Sequence, residues 1–206
     1  MPVQPDSDET CGLLEQVHQG HAQALEHLLR RHRPAVHAFI EARLDPRVRA
    51  RIDPSDVVQE TQMEVVRRMD DFLERRPMPF HLWVLKTAYQ RLINAHRDHR
   101  RVSRRSVDRE AALPENSSLL LAGPLLGSGP SPSQQAEGRE RADRIAHVVA
   151  GLADADREVL LMRHTEGLSY EEIACLLEVT PAAARKRYGR ALIRLQKALS
   201  DNGLLE

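Results

Sequence analysis

The chain has 206 residues, room for one ordinary domain or two small ones. Apolar residues make up 41% and aromatics only 3%, which suits small helical cores of Leu, Val, Ile and Ala. Equal totals of 30 acidic and 30 basic residues exclude a uniformly basic nucleic-acid coat.

That balance hides local asymmetry. Residues 1–29 hold five acids and no Lys or Arg. Residues 53–74 hold seven acids against two arginines, and residues 81–109 hold eight basic residues against two acids. An acidic surface followed by a basic one suggests two different partners, one of them nucleic acid. Solvated helix faces are the plainer account of any single run. The acidic N-terminus does not read as a secretory signal. No apolar run approaches the roughly 20 residues of a membrane span. A soluble, cytoplasmic protein without membrane contact is the expectation.

From about Gly12 to Arg109 the apolar spacing is helical. Leu13, Leu14 and Val17 begin it, and Leu25, Leu28, Leu29, Val36, Phe39 and Ile40 continue it. Pro46 and Pro54 punctuate. Asp53 and Pro54 read as a helix start, with Asp at the N-cap and Pro in the first helical position. The spacing predicts a helix from there to about Leu73. On its wheel Val57, Val58, Thr61, Val65, Met69 and Phe72 share one side. Asp56, Gln59, Glu60, Met63, Arg67 and Asp70 share the other. Carboxylates, an amide and a soft Met on an exposed face suit a partner helix.

After a turn holding Pro77 and Pro79, a further helix is predicted from about Phe80 to His99. Four of the seven aromatics lie between Phe72 and Tyr89. An aromatic-rich helix with a cationic end suits unstacked single-stranded DNA. The plainer account makes Phe80, Trp83 and Tyr89 core; for Trp83 that account is preferred. Gln90 and Asn94, polar on the outer side, are preferred as DNA contacts. Arg97, Arg100, Arg101, Arg104, Arg105 and Arg109 follow, a run suited to phosphates or to solvent. His96 and His99 lie three apart but among arginines, which disfavours a metal ion.

Residues 110–134 change character. Prolines, glycines and serines break any regular element, so the segment reads as a flexible linker. Its Leu-rich patch at 119–126 exceeds what a tether needs. Helical spacing resumes near Gln135. The expected organisation is all-α: a helical domain at 12–109, a linker at 110–134, and a second helical domain at 135–206.

In the second domain Ser169 and Glu172 form a capping box that opens a helix with Ile173, Ala174, Leu176 and Leu177 inward. Glu178, Val179 and Thr180 make a short turn. Thr180 and Pro181 start the next helix. Ala184, Tyr188, Ala191, Leu192, Leu195 and Leu199 fall on its inner side. Ala182, Ala183, Lys186, Arg190, Arg194 and Lys197 fall on the outer side, and Arg185 and Arg187 flank the boundary. Small residues at its start permit close approach to a groove floor. Arg187 and Arg194 suit phosphates; Arg185, Lys186 and Arg190 suit base edges. On these residues alone, a DNA-reading helix-turn-helix and a plain helical hairpin both stay open.

The run Leu152–Ala174 resembles region 4 of bacterial sigma factors, whose helix-turn-helix binds the −35 promoter element. Ala153 stands in place of a usual Pro, Glu178 of a Gly, and Ala184 of a β-branched residue; the left-handed turn position that the Gly implies would cost Glu178 roughly 1 kcal/mol. More specifically, Asp53-Pro54-Ser55-Asp56-Val57-Val58-Gln59-Glu60-Thr61 resembles sigma region 2.2, with Gln62 where an aromatic is frequent. Phe80 to Arg97 resembles regions 2.3 and 2.4. The label that fits is the short extracytoplasmic-function group.

The resemblance implies that Asp56, Gln59, Glu60, Met63 and Arg67 bind the β′ clamp helices of core RNA polymerase, whose β subunit is a further expected contact. It implies that Lys86, Gln90, Asn94, Arg97, Arg100 and Arg101, with a loop at about 74–79, engage the −10 element and a flipped base. Thr180, Ala182, Ala183, Arg185, Lys186, Arg187 and Arg190 are implied at the −35 element. Partners are then core polymerase, promoter DNA in duplex and single-stranded form, and an anti-sigma factor. The alternative is a helix-turn-helix regulator acting without stable polymerase binding. No phosphate loop, catalytic acid pair or nucleophile motif is present, so no enzyme, cofactor or metal is expected.

Overall fold

A computed structural model describes residues 3–44, 53–103, 141 and 144–204. Among these, all regular structure is helical. The chain divides into two compact units, 2–111 and 112–206. The linker at 110–134, with its Leu-rich patch, and Arg104, Arg105 and Arg109 lie outside the described residues.

The first unit opens earlier than the apolar spacing suggests. Helix α1 spans Asp8–His18, and Ser7 caps it by accepting from the Thr10 N–H at 3.3 Å. Gly20, at φ 85°, takes the left-handed turn into α2, Ala22–Glu41. Pro34 sits inside α2 on its exposed side without ending the helix. Leu28, Phe39 and Ile40 are buried. Arg43 is buried too: its guanidinium lies 3.6 Å above the Phe39 ring and donates to the Phe39 carbonyl at 2.9 Å.

Helix α3, Pro54–Arg67, starts as Asp53-Pro54 predicts, with the Asp53 carboxylate accepting from the Ser55 N–H at 2.8 Å. The expected helix to Leu73 is interrupted. Arg68 leaves helical geometry at φ −107°, and α4, Met69–Arg75, follows directly. No Gly or Pro stands at the break. Just beyond it Phe72 stacks on Trp83 with centroids 4.5 Å apart and meets Phe80 edge-on at 5.4 Å. Arg76 ends α4 at φ 37°, a left-handed cap without Gly.

Helix α5 runs Phe80–Ser103, past the expected end at His99. Val57, Val58, Thr61, Val65, Met69 and Phe72 are all buried, as are Phe80 and Trp83. Trp83 is therefore core. Helices α2, α3 and α5 pack around this apolar centre.

In the second unit, residues 144–150 are helical and α6 spans Asp154–His164. Its N-cap Ala153 makes no side-chain bond. Helix α7, Tyr170–Leu177, begins with the predicted box: Ser169 Oγ accepts from the Glu172 N–H at 3.2 Å, and the Glu172 carboxylate accepts from the Ser169 N–H at 2.7 Å. Glu178 stands at φ 54°, ψ 45°, as expected of the turn. Helix α8, Pro181–Asp201, starts with Thr180 Oγ1 accepting from the Ala183 N–H at 3.2 Å. Ala184, Ala191 and Leu199 are buried, while Tyr188 and Leu195 are half-buried. Leu192, expected inward, is 37% exposed, and its neighbour Ile193 is 69% exposed.

Candidate functional site

Three surfaces carry the predicted residues. On α3, Asp56, Gln59, Glu60, Met63 and Arg67 are all exposed, Met63 by 66%. They share one side of the helix because the opposite side is spent on the core. An open groove beside them is lined by Gln59, Met63, Glu64, Val66, Arg67 and Arg91.

Glu64 is the hub of that groove. Its side chain is 11% exposed. Arg67 donates to it twice, at 3.0 and 2.6 Å, and Arg91 of α5 approaches at 3.0 Å. The Arg67 bond outweighs burial and, with Arg91 and Arg68, holds the Glu64 carboxyl below its ordinary 4.5. Arg67 thus reaches the surface with one edge of its guanidinium already engaged. Sequence reasoning passed over Glu64, although its i,i+3 spacing to Arg67 was a readable signal.

Gln62 is half-buried on the flank of α3. Beside it a void of about 10 Å³, room for at most one water, is lined by Leu29, Val36, Val65 and Val84 among others.

On α5, Lys86, Gln90, Asn94 and Arg97 follow at spacings of four, four and three, so they align along one strip. Gln90 and Arg97 are exposed; Lys86 and Asn94 are half-buried. Arg97 donates to the Asn94 amide oxygen at 2.7 Å, joining the two. Arg100 and Arg101 lie on the same helix, with side chains outside the described residues.

On α8, Thr180, Ala182, Ala183, Arg185, Lys186 and Arg190 are exposed and Arg187 is half-buried. Thr180 spends an oxygen lone pair on the cap. Arg194, expected at phosphates, instead forms an ion pair with buried Asp156 of α6. Arg185 and Arg163 each place a guanidinium 5.2 Å from the centroid of the Tyr170 ring. The sequence reading gave Tyr170 no role.

Two family models match this chain. Sigma-70 region 2 matches residues 28–102, and Sigma-70 region 4 matches residues 142–195. The chain is a sigma factor.

Its relatives agree. It is 31% identical over 147 residues to the RNA polymerase sigma factor CnrH of Cupriavidus metallidurans, covering 71% of this chain and 73% of that one. It is 27% identical over 179 residues to the ECF RNA polymerase sigma-E factor of Haemophilus influenzae, covering 87% and 89%. The group is accordingly the extracytoplasmic-function one. Two solved structures share the fold. One is CnrH in complex with the cytosolic domain of CnrY, with TM-score 0.61, 22% identity and coverage of 94% of this chain and 99% of that one. The other is the sigma factor RpoE in complex with the anti-sigma factor NepR from Bartonella quintana, with TM-score 0.58, 20% identity and coverage of 85% and 96%.

This sigma factor binds core RNA polymerase and promoter DNA and directs promoter-specific transcription. A helix-turn-helix regulator without polymerase is not favoured, because region 2 matches as well as region 4. Among the described residues no helix is long and apolar enough to cross a membrane.

Proposed function

We propose that the two units divide the work of a sigma factor between three surfaces. The outer side of α3, with Asp56, Gln59, Glu60, Met63 and Arg67, docks on the β′ clamp helices. The α5 strip of Lys86, Gln90, Asn94 and Arg97, continued by Arg100 and Arg101, takes the −10 element and helps hold it open. The start of α8, from Thr180 through Arg190, enters the major groove at −35. The domain carrying the first two surfaces is 12–109, the linker is 110–134, and the −35 domain is 135–206. The protein works in the cytoplasm with polymerase and has no catalytic chemistry of its own.

The observation that carries this reading is the segregation of α3. Its Val57, Val58, Thr61 and Val65 are buried, while carboxylates, an amide, a two-thirds-exposed Met63 and a half-exposed Val66 lie at the surface. Such a face has no internal use and suits a partner helix. An anti-sigma factor is a further partner by analogy with RpoE, solved in complex with NepR. The test is Asp56→Arg with Glu60→Arg. Binding to core polymerase should be lost while the helical content stays; unchanged affinity would refute the assignment.

A further inference from the structure

Tyr170 opens α7, and its ring is held from three sides. Arg163 of α6 lies 5.2 Å from the ring centroid and is itself anchored by donating to the Leu168 carbonyl at 2.8 Å. Tyr188 of α8 meets it edge-on at 5.7 Å and 64°. The Tyr188 hydroxyl in turn pairs with His164 Nε2 at 3.0 Å, which fixes that ring against α6. What remains is the side that faces Arg185, whose guanidinium lies 5.2 Å from the centroid. Arg185 is exposed and stands in the second turn of α8, among the residues proposed to read the −35 element.

A free arginine on a helix surface samples many rotamers and loses that freedom when it grips a base. A cation held over an aromatic face gives up part of it beforehand. The guanidinium is planar, and a ring beneath it restricts the orientation of its plane as well as its position. A bidentate pair with guanine O6 and N7 needs both. A lysine or an unstacked arginine would deliver charge without that orientation.

We infer that Tyr170 is a positioning residue for promoter discrimination: it orients Arg185 so that the −35 base pair beneath Arg185 is selected as guanine. This rests on the reading of Arg185 as a base contact. Tyr170 need not touch DNA to act, and its effect is confined to one base pair.

The experiment uses the full chain with core polymerase, and templates that differ in single −35 base pairs and compete in one reaction. Arg185→Ala first locates the base pair at which discrimination is lost. Tyr170→Leu should then lower discrimination at that pair by about two- to five-fold, the worth of an exposed cation–aromatic contact. Other positions should keep their preference. Tyr170→Phe, which keeps the ring, should behave as the parent. Tyr170→Leu added to Arg185→Ala should cost nothing more. Each variant is compared by thermal melt. Should the Leu variant unfold, Tyr170→Gln replaces it. If Tyr170→Leu weakens all templates equally, or leaves the Arg185-dependent pair unchanged, the inference is overturned. If Arg185→Ala alters no base preference, the assignment of Arg185 itself falls, and this inference with it.

Discussion

The carboxylate of Asp6 caps a helix that begins 74 residues later, accepting from the Phe80 N–H at 2.6 Å and from the His81 N–H at 3.1 Å. Its Oδ1 also meets His81 Nδ1 at 3.0 Å. Helix α5 needs this help. The residue before it is Pro79, which offers no side-chain acceptor, and its first turn contains no acid. Asp6 supplies both the acceptors and a negative charge at the positive end of the helix dipole. The α5 helix, with the turn before it, is where −10 contact is proposed, so the acidic N-terminal arm has a positional use.

Asp6→Ala should therefore destabilise the first unit by about 1–2 kcal/mol, the worth of an N-cap whose loss strands partly buried donors. Asp6→Asn should cost less, because an amide oxygen still accepts one N–H. Trp83 is the single tryptophan, buried beside Phe80. Its fluorescence during urea denaturation follows this unit alone. A midpoint unmoved by Asp6→Ala would mean that the arm does not dock in solution.

His32 gives the same unit a pH dependence. It sits beside Thr10 Oγ1 at 3.4 Å and meets Phe80 edge-on at 5.2 Å. Burial pushes its imidazole below the ordinary 6.5, against the attraction of Asp6 and with help from His81 and Arg31. Burial alone would raise Asp6. The bonds from His81 and Phe80 outweigh it and keep that carboxyl below 3.8. Both folded values are depressed, so each contribution is present above the unfolded value and lost as pH falls through the folded one. For His32 the loss begins below pH 6.5; for Asp6 it begins only below 3.8. The Trp83-monitored stability should fall as pH drops below about 6.5, well before Asp6 contributes. His32→Gln, which keeps a polar partner for Thr10 and cannot titrate, should flatten that slope. An equal slope in both proteins would remove His32 as the cause.

Helix α3 shows how much the sequence states openly. Asp53 with Pro54 marks its start, and the alternation of Val57, Val58, Thr61 and Val65 with Asp56, Gln59 and Glu60 marks its two sides. Each signal lies within a few residues of what it controls. The box at Ser169 and Glu172, and the strained Glu178, were legible for the same reason. The break at Arg68 was not, because no Gly or Pro marks it and the contact of Phe72 with Trp83 just beyond it joins residues well apart in the chain. Asp6 and Phe80 had no local signature at all. Arg194 looked like a phosphate contact because a helical wheel shows only which side a residue is on. It does not show that Asp156 of α6 waits there. Pairings between distant segments are where pattern reading stops.

The Arg194–Asp156 pair has its own asymmetry. The Asp156 side chain is 5% exposed and that of Arg194 58%. Removing the arginine strands a buried carboxylate; removing the aspartate returns a cation to water. Arg194→Ala should therefore destabilise the second unit more, by about 1–3 kcal/mol, than Asp156→Asn, by about 1 kcal/mol. Hydrogen exchange of the α6 amides in the full chain reports this unit specifically. The opposite order would show that the carboxylate finds other partners.

Base readers and phosphate contacts on α8 should separate by salt. Lys186→Ala and Arg190→Ala should each cost about 1–3 kcal/mol on the preferred −35 sequence and little on others, because a lost base contact relaxes preference at one position. Arg187→Ala should weaken all sequences nearly alike and reduce the slope of log affinity against log salt by about one, as expected when one phosphate is no longer neutralised. Arg194, held by Asp156, should leave that slope unchanged if replaced by Gln, because its charge is already engaged by the carboxylate. Holoenzyme binding to promoter templates across a salt series measures all four. The decisive comparison is Arg187 with Arg194: two arginines assigned to phosphate by sequence pattern, of which the second is engaged by the Asp156 carboxylate. If both variants shift the slope by one, Asp156 releases Arg194 when DNA arrives, and the pair is a contact of the unbound protein alone.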